Sequence, residues 1–195
     1  DGPQYGPTNP HPLSRLKTEL VWEGKYDEFG NRREVDVAGA AQAAIESVKP
    51  AAEKRGISVN LAVAGPVTIT ADRGEIEIIL NNLVSNAVKY NRDGGRVDVR
   101  LAGDEEQIAI VVADTGIGLV QEEADRLFRD FVRIKNEKTR HISGSGLGLS
   151  IGRKSARLYG GTARVESEPG VGRTFSVKLR RRVAVREGAD TPQTG

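Results

Sequence analysis

The sequence of 195 residues has no cysteine and only two histidines, His11 and His141. Disulfides, thiolate zinc sites and cysteine nucleophiles are therefore excluded, and a histidine-based metal site is disfavoured. The apolar runs fall far short of the roughly 20 residues that a membrane-spanning helix needs, so we expect no direct membrane contact. The formal net charge of +2 is too close to neutral to indicate a nucleic-acid-binding surface. Because neither a signal peptide nor an initiator methionine is visible, we expect a soluble fragment of a longer protein.

Polar and turn-forming residues fill both ends of the chain, and helix and strand patterns alternate between them. We expect residues 1–32 to be a disordered linker, with the end of an upstream helix as a second interpretation of residues 13–29. Residues 182–195 are predicted to be a disordered tail. The folded domain is therefore predicted to span residues 33–181.

Hydrophobic periodicity within this domain predicts three main helices and several strands. The helices are predicted over about residues 38–55, 73–90 and 147–159. Alternation predicts strands at ISVNLAV, VTITA, RVDVRLA, QIAIVVADT, TARVESE and RTFSVKL. Asp72 and Glu75 are predicted to form a capping box for the second helix, and residues 115–145 a long irregular stretch. Because helices and antiparallel hairpins are interleaved, we predict an α/β two-layer sandwich, a mixed sheet covered on one face by helices.

The segment NNLVSNAVKYN, residues 81–91, places asparagines on a helix that otherwise looks like core. Next to the apolar stripe of this helix lie Asn82, Asn86, Lys89 and Tyr90. An asparagine oxygen suits Mg²⁺, and its amide can donate to phosphate. Lysine adds a positive charge and tyrosine a flat face for a base. The alternative is a helix whose asparagines are simply exposed.

The motif ADTGIG, residues 113–118, follows a predicted strand. Asp114 at the end of that strand can accept a hydrogen bond from an exocyclic amine such as that of adenine. Gly116 and Gly118 are predicted to let a flat ligand approach the backbone. An ordinary glycine turn is the alternative.

Two further glycine motifs follow along the chain. GSGLGLS, residues 144–150, opens a predicted helix, where backbone N–H groups and the helix dipole suit phosphate oxygens. It has neither the P-loop nor the Rossmann spacing. PGVGRTF, residues 169–175, is most easily a hairpin turn, in which Thr174 is predicted to line the same cleft.

In this order, the motifs resemble those of the catalytic and ATP-binding domain of bacterial sensor histidine kinases, within the gyrase, chaperone, kinase and mismatch-repair ATPase superfamily. NLVSNAVKY resembles the N box, DTGIG the first glycine box and LFRDFVRI the F box. SGSGLGLSI resembles the second glycine box, and GVGRTF the smaller glycine motif. The resemblance implies a Bergerat-type ATP-binding fold, Mg²⁺ and ATP as cofactors, transfer of the γ-phosphoryl group to a histidine, and a cytoplasmic location.

The resemblance also implies a role for each matching residue. Asn86 would ligate Mg²⁺, with Asn82 and Lys89 at the phosphates, and these three residues would take part in catalysis. Tyr90 would lie against the adenine, and Asp114 would bind its amino group. The other implied nucleotide contacts are Gly116, Gly118, Phe131, Arg133, Gly144, Ser145, Gly146, Leu147, Gly148 and Thr174. Of these, Phe131 and Arg133 would belong to a mobile lid and its coupling to the partner domain. The lid itself is predicted over about residues 132–143.

The phosphoacceptor histidine of the family has no counterpart here. His11, in NPHPLSR, lacks the following acidic neighbour, and His141, in TRHISGSG, falls in the predicted lid. We therefore expect the acceptor on a histidine-containing dimerisation domain of the same parent protein, with a response-regulator receiver domain as the next partner. The alternatives are a hydrolytic ATPase of the superfamily and a non-catalytic nucleotide-binding regulatory domain. Asn82 stands where the hydrolases would have a glutamate base, which favours transfer over hydrolysis.

Overall fold

The computed structural model describes residues 33–126 and 148–181, with side chains for residues 33–126 and 153–181. Seven strands and four helices make up this part of the chain. The strands are β1 (Arg33–Asp36), β2 (Ser58–Ala64), β3 (Thr68–Ala71), β4 (Arg96–Gly103), β5 (Gln107–Asp114), β6 (Thr162–Glu168) and β7 (Gly172–Arg180). The helices are α1 (Val37–Lys54), α2 (Arg73–Lys89), α3 (Gln121–Arg126) and α4 (Gly148–Leu158).

Five of the strands form one sheet in the order β2, β4, β5, β7, β6. β2 pairs with β4 in parallel, whereas the other three pairings are antiparallel. β1 and β3 form a separate antiparallel pair. The prediction of a mixed sheet is therefore confirmed, and β5 and β7 lie side by side near its centre.

One face of this sheet is buried and the other is open. In β4, Val97, Val99 and Leu101 are buried, whereas the alternating Arg100 is exposed. β5 and β7 alternate in the same way, because successive side chains of a strand point to opposite faces. Helix α2 packs against both α1 and α4, and all three helices contact the sheet on its buried face. The predicted two-layer sandwich is confirmed.

Helix α2 begins at a capped terminus. Asp72 is the N-cap, and its side chain accepts a hydrogen bond of 3.1 Å from the Glu75 backbone N–H. The predicted capping box is only half right, because Glu75 does not return the bond directly. The Asp72 backbone N–H donates to the Tyr159 hydroxyl at 2.9 Å, and that hydroxyl donates to Glu75. Tyr159 follows α4, so it ties the end of α4 to the start of α2.

The predicted irregular stretch over residues 115–145 is wrong in its first part, because it contains α3. This helix has six residues and one buried side chain, Ala124, and is too short to show a period. Residues 127–147 lie outside the described residues, as do the predicted linker and tail, so the domain limits stay a prediction. None of the described helices is both long enough and apolar enough to cross a membrane.

Candidate functional site

Helix α2 carries its asparagines at the border of its buried face. The buried residues of the helix are Ile76, Ile79, Leu80, Leu83, Val84, Ala87 and Val88. Asn82, Asn86, Lys89 and Tyr90 are all half-buried. These four side chains therefore lie between the core and solvent, as the periodicity predicted, and they are not fully exposed. A half-buried amide can contact both a neighbouring element and a bound molecule.

Asp114, the last residue of β5, provides a buried carboxylate. Its side chain has no exposed surface. One carboxylate oxygen, Oδ1, accepts a hydrogen bond of 2.9 Å from the Gly116 backbone N–H. The other, Oδ2, accepts one of 3.1 Å from Nε of Arg173. Asp114 is thus held from both sides at the end of its strand.

Arg173 is a site residue that sequence reasoning missed. It is the cross-strand partner of Asp114 on β7, and its side chain is 3% exposed. Its guanidinium carbon lies 4.8 Å from the centre of the Tyr90 ring, and Nη2 donates to the Asn86 carbonyl at 3.2 Å. Alternation from Phe175 would have put Arg173 on the buried face. The pairing of β7 with β5 could not be read from the sequence.

Arg173 therefore joins three elements at one point: the last residue of β5, the start of β7 and the last turn of α2. The turn after α2 is fixed to the same point, because the Tyr90 carbonyl accepts a hydrogen bond of 3.2 Å from the Ile117 N–H. The buried Asn91 secures that turn to β4, since its Nδ2 donates to the Arg96 carbonyl at 3.0 Å. The structure thus brings Asn86, Tyr90 and Asp114 together, as predicted.

The charge state of Asp114 is set by opposing effects. Burial raises the pKa of Asp114 above its ordinary value, because the ionised form loses its hydration. The Arg173 guanidinium and the Gly116 N–H lower the same pKa, since each stabilises the carboxylate. Burial is the largest of these effects. Arg173 is accordingly the main group that favours an ionised Asp114.

The two glycines after Asp114 are required by backbone contacts. A Cβ on Gly116 would lie 2.3 Å from the Tyr90 carbonyl oxygen. Gly118 has a φ of 62°, and a Cβ there would lie 1.9 Å from the Glu168 carbonyl oxygen. Both positions exclude a larger residue for reasons internal to the fold. Their predicted role in admitting a flat base stays a prediction.

The predicted place of Thr174 in the cleft is wrong. Thr174 is paired with Ala113 on β5, one position away from the Arg173–Asp114 pair. A shift of one residue along a strand turns the side chain to the other face. Thr174 therefore points to the open face of the sheet, and the residue of this motif that faces Asp114 is Arg173.

The remaining predicted contacts are only partly covered by the structure. Gly148 is the first residue of α4, as expected for a glycine motif that opens a helix, but its contact with phosphate stays a prediction. Six predicted residues and the predicted lid lie outside the described residues. The six are Phe131, Arg133, Gly144, Ser145, Gly146 and Leu147.

A metal ion at this site would depend on few protein ligands. Within residues 33–126 and 148–181, no group of three or more histidine, aspartate or glutamate side chains is placed to hold a metal. The half-buried amide of Asn86 offers one hard oxygen. This fits Mg²⁺, which commonly takes one or two protein ligands and completes its shell with water and substrate phosphates.

A mixed five-stranded sheet with helices on one face, and a buried aspartate beside an asparagine-bearing helix, define an ATP-binding catalytic domain of the histidine kinase type. A family model described as "Histidine kinase-, DNA gyrase B-, and HSP90-like ATPase" matches residues 71–183. The chain belongs to this family, which confirms the resemblance seen in its motifs.

Similar proteins are named as histidine kinases. Histidine protein kinase DivJ of Caulobacter vibrioides is 38% identical over 145 residues, which are 74% of this chain and 24% of DivJ. Sensor-like histidine kinase SenX3 of Mycobacterium tuberculosis is 35% identical over 153 residues, which are 78% of this chain and 37% of SenX3. The chain thus spans about a quarter to two fifths of the length of these curated relatives.

Solved structures agree with the fold. The mycobacterial sensor histidine kinase MprB matches with a TM-score of 0.66 and 27% identity, over 77% of this chain and 98% of that one. Full-length ShkA in complex with AMPPNP matches with a TM-score of 0.66 and 31% identity, over 78% of this chain and 32% of that one. The expected α/β sandwich is that of histidine kinase catalytic domains.

Proposed function

We propose that this chain supplies the donor half of a histidine phosphotransfer reaction: it binds Mg²⁺ and ATP and presents the γ-phosphoryl group to a histidine on another domain. The observation that carries the proposal is the buried Asp114 carboxylate, which lies at the end of β5 beside Tyr90 and Asn86. A buried acceptor next to an aromatic ring suits a planar base with an exocyclic amine.

Each residue of the site would hold one part of the nucleotide. Asp114 would accept a hydrogen bond from the adenine amino group, and the Tyr90 ring would lie against the base. Asn82 and Lys89, further along the border of α2, would contact the phosphates, as would the glycine motif that ends at Gly148. Asn86 would hold Mg²⁺, which when bound neutralises charge that develops on the transferred group.

Transfer is favoured over hydrolysis by the chemistry of Asn82. An asparagine amide cannot take a proton from water at neutral pH, so this position supplies no general base. Transfer of a phosphoryl group depends mainly on holding donor, metal and acceptor in line. A site that has groups to bind Mg²⁺ and phosphate, but no general base to activate water, suits a domain whose acceptor histidine is supplied by another domain.

The acceptor and the signalling partners are part of the same proposal. We expect the acceptor histidine on a dimerisation domain of the same parent protein, and a response-regulator receiver domain to take the phosphoryl group next. The relatives named as sensor histidine kinases are much longer than this chain, which leaves room for such a domain. Kinase action on the cytoplasmic side of a parent sensor is part of the same proposal.

The test is a reconstituted transfer. The chain alone, incubated with Mg²⁺ and labelled ATP, should incorporate almost no acid-labile phosphate and hydrolyse ATP very slowly. Addition of the histidine-bearing domain of the parent protein should produce labelling of that domain. Asn86→Ala should abolish the transfer, whereas Asn60→Ala, a change on the open face of β2, should not. Efficient labelling of His11 or His141, or steady ATP turnover by the chain alone, would rule the proposal out.

A further inference from the structure

Arg173 makes the two contacts that the proposed function assigns to the adenine base. Its Nε donates to Asp114 Oδ2 at 3.1 Å, where the amino group of the base is expected to donate. Its guanidinium carbon lies 4.8 Å from the centre of the Tyr90 ring, against which the base is expected to lie. A guanidinium is planar, so it can lie against an aromatic ring as a base does, and its N–H groups can donate to a carboxylate as the amino group of a base does.

The position of Arg173 is closely defined. Its side chain is 3% exposed, and Nη2 is held by the Asn86 carbonyl at 3.2 Å. The second oxygen of Asp114 is already bonded to the Gly116 N–H. With Arg173 in place, both carboxylate oxygens and one side of the Tyr90 ring are therefore engaged by the protein itself.

We propose that Arg173 is an internal competitor of the base: in the free protein its guanidinium occupies the Asp114–Tyr90 contacts, and it must withdraw for the nucleotide to bind. The proposal rests on the proposed function, because it takes Asp114 and Tyr90 as the base contacts. Arg173 is the second residue of β7, directly after the turn between β6 and β7, and its backbone is fixed by pairing with both β5 and β6. Withdrawal would therefore be a rotation of its long side chain and would need no movement of the strand.

Competition of this kind lowers the apparent affinity for nucleotide. A ligand that binds only the open form has its apparent dissociation constant increased in inverse proportion to the fraction of open protein. If Arg173 occupies the site for about nine tenths of the time, its removal should tighten binding about tenfold. The alternative role of Arg173 is that of a fixed residue in the wall of the site, which stays in place and orients Asp114 for the base. Removal of a wall residue would weaken binding, so the two roles predict opposite signs.

The experiment compares Arg173→Ser with the unmutated chain by calorimetric titration with ADP and Mg²⁺ at pH 8, because a high pH favours the ionised form of a carboxyl whose pKa is raised by burial. The matched control is Arg73→Ser, which removes an arginine from an exposed pair with Glu77 at the other end of α2. We expect Arg173→Ser to bind ADP about tenfold more tightly and Arg73→Ser to bind it unchanged. Weaker binding by a folded Arg173→Ser chain would overturn the inference.

A second measurement follows the unmutated chain, and a variant serves only to assign one signal. In the free, unmutated chain the Nε–H of Arg173 should exchange slowly with solvent, and its NMR signal is assigned by its loss in Arg173→Lys. Addition of ADP should shift this signal and speed its exchange, because the guanidinium leaves Asp114. A signal that keeps its position and protection at saturating ADP would overturn the inference while leaving the proposed function intact. Absence of ADP binding by every form of the chain would overturn both.

Discussion

The two ends of helix α2 each hold an arginine–carboxylate pair, and the two pairs differ in burial. At the first residue of the helix, Arg73 contacts Glu77 at 2.7 Å, with side chains 70% and 39% exposed. At the last turn, Arg173 contacts Asp114 at 3.1 Å, with side chains 3% and 0% exposed. We expect the shorter pair to contribute less to stability, because water screens it and competes for both groups. The contribution of each pair to the protein therefore depends more on its burial than on the distance between its charged atoms.

The buried pair, Arg173 and Asp114, also contains the residue that we propose as the contact with the base. A buried carboxylate must be paired or it costs several kcal/mol, and that same requirement makes Asp114 a strong acceptor for a bound base. The exposed pair at Arg73 has no such consequence.

Asp114→Asn should have the largest effect on stability. The change leaves the Arg173 guanidinium buried without its carboxylate, and loss of one partner of a buried pair costs about 3–5 kcal/mol. Urea unfolding followed by circular dichroism measures the loss. Asp114→Asn combined with Arg173→Ser should recover part of it, since no buried charge is then left unpaired. A single variant as stable as the unmutated chain would show that the pair is not buried as described.

Tyr159→Phe tests the start of the same helix, which is held by hydrogen bonds and not by an ion pair. The change removes a hydroxyl that accepts from the buried Asp72 N–H and donates to Glu75. An unsatisfied buried donor costs about 1–3 kcal/mol, so the free energy of unfolding should fall by that amount. Ser85→Ala removes an exposed hydroxyl from α2 and should change it by less than about 0.5 kcal/mol. Equal effects of the two variants would contradict the role of Tyr159.

The pH dependence of binding tests the influence of Arg173 on Asp114. Burial raises the pKa of Asp114 in the folded chain, so the contribution of this group to stability is fully present below its ordinary pKa and is lost as the pH rises through the raised value. Because Arg173 lowers that pKa, Arg173→Ser should raise it further.

Nucleotide binding needs the ionised carboxylate. As the pH is lowered, the affinity of Arg173→Ser for ADP should therefore begin to decline at a higher pH than that of the unmutated chain. One pH unit below the pKa of Asp114, the affinity of either chain should have fallen about tenfold. Calorimetric titrations between pH 5 and 8 measure both profiles. Superimposable profiles would mean that Arg173 does not influence the charge of Asp114.

Glu77→Gln should have the smallest effect. Both members of its pair are largely in water, and exposed pairs of this spacing contribute about 0.3–0.5 kcal/mol. The free energy of unfolding should fall by no more than this amount, and the difference should vanish in 1 M salt. A fall in the free energy of unfolding of more than about 2 kcal/mol would show that the exposed pair at the start of α2 matters about as much as the buried pair at its end.

Much of the site could be predicted because local patterns encode it. Helical periodicity placed Asn82 and Asn86 at the border of the core, and the end of a strand placed Asp114. Both predictions depend on a single segment, in which the spacing of residues along the chain determines the face to which each side chain points. The two-layer sandwich followed in the same way from the order of helices and hairpins.

The contacts between segments that are distant in the sequence could not be predicted from it. Arg173 was missed, and Thr174 was chosen in its place, because the register of β7 against β5 decides which of two neighbours faces Asp114. The cap of α2 was half wrong for the same reason, since Tyr159 lies 84 positions from Glu75. Helix α3 was missed because six residues are too few to show a period.

Recognition of adenine by Asp114 can be measured by calorimetric titration of the unmutated chain with ATP and with GTP, each with Mg²⁺. A buried carboxylate that accepts from the adenine amino group meets the carbonyl oxygen of guanine unfavourably, because two acceptors then face each other. A hydrogen bond to a charged group contributes about 1.5–3 kcal/mol, so ATP should bind about tenfold more tightly than GTP, or better. Equal affinity for the two nucleotides would contradict the assignment of Asp114 as the adenine contact.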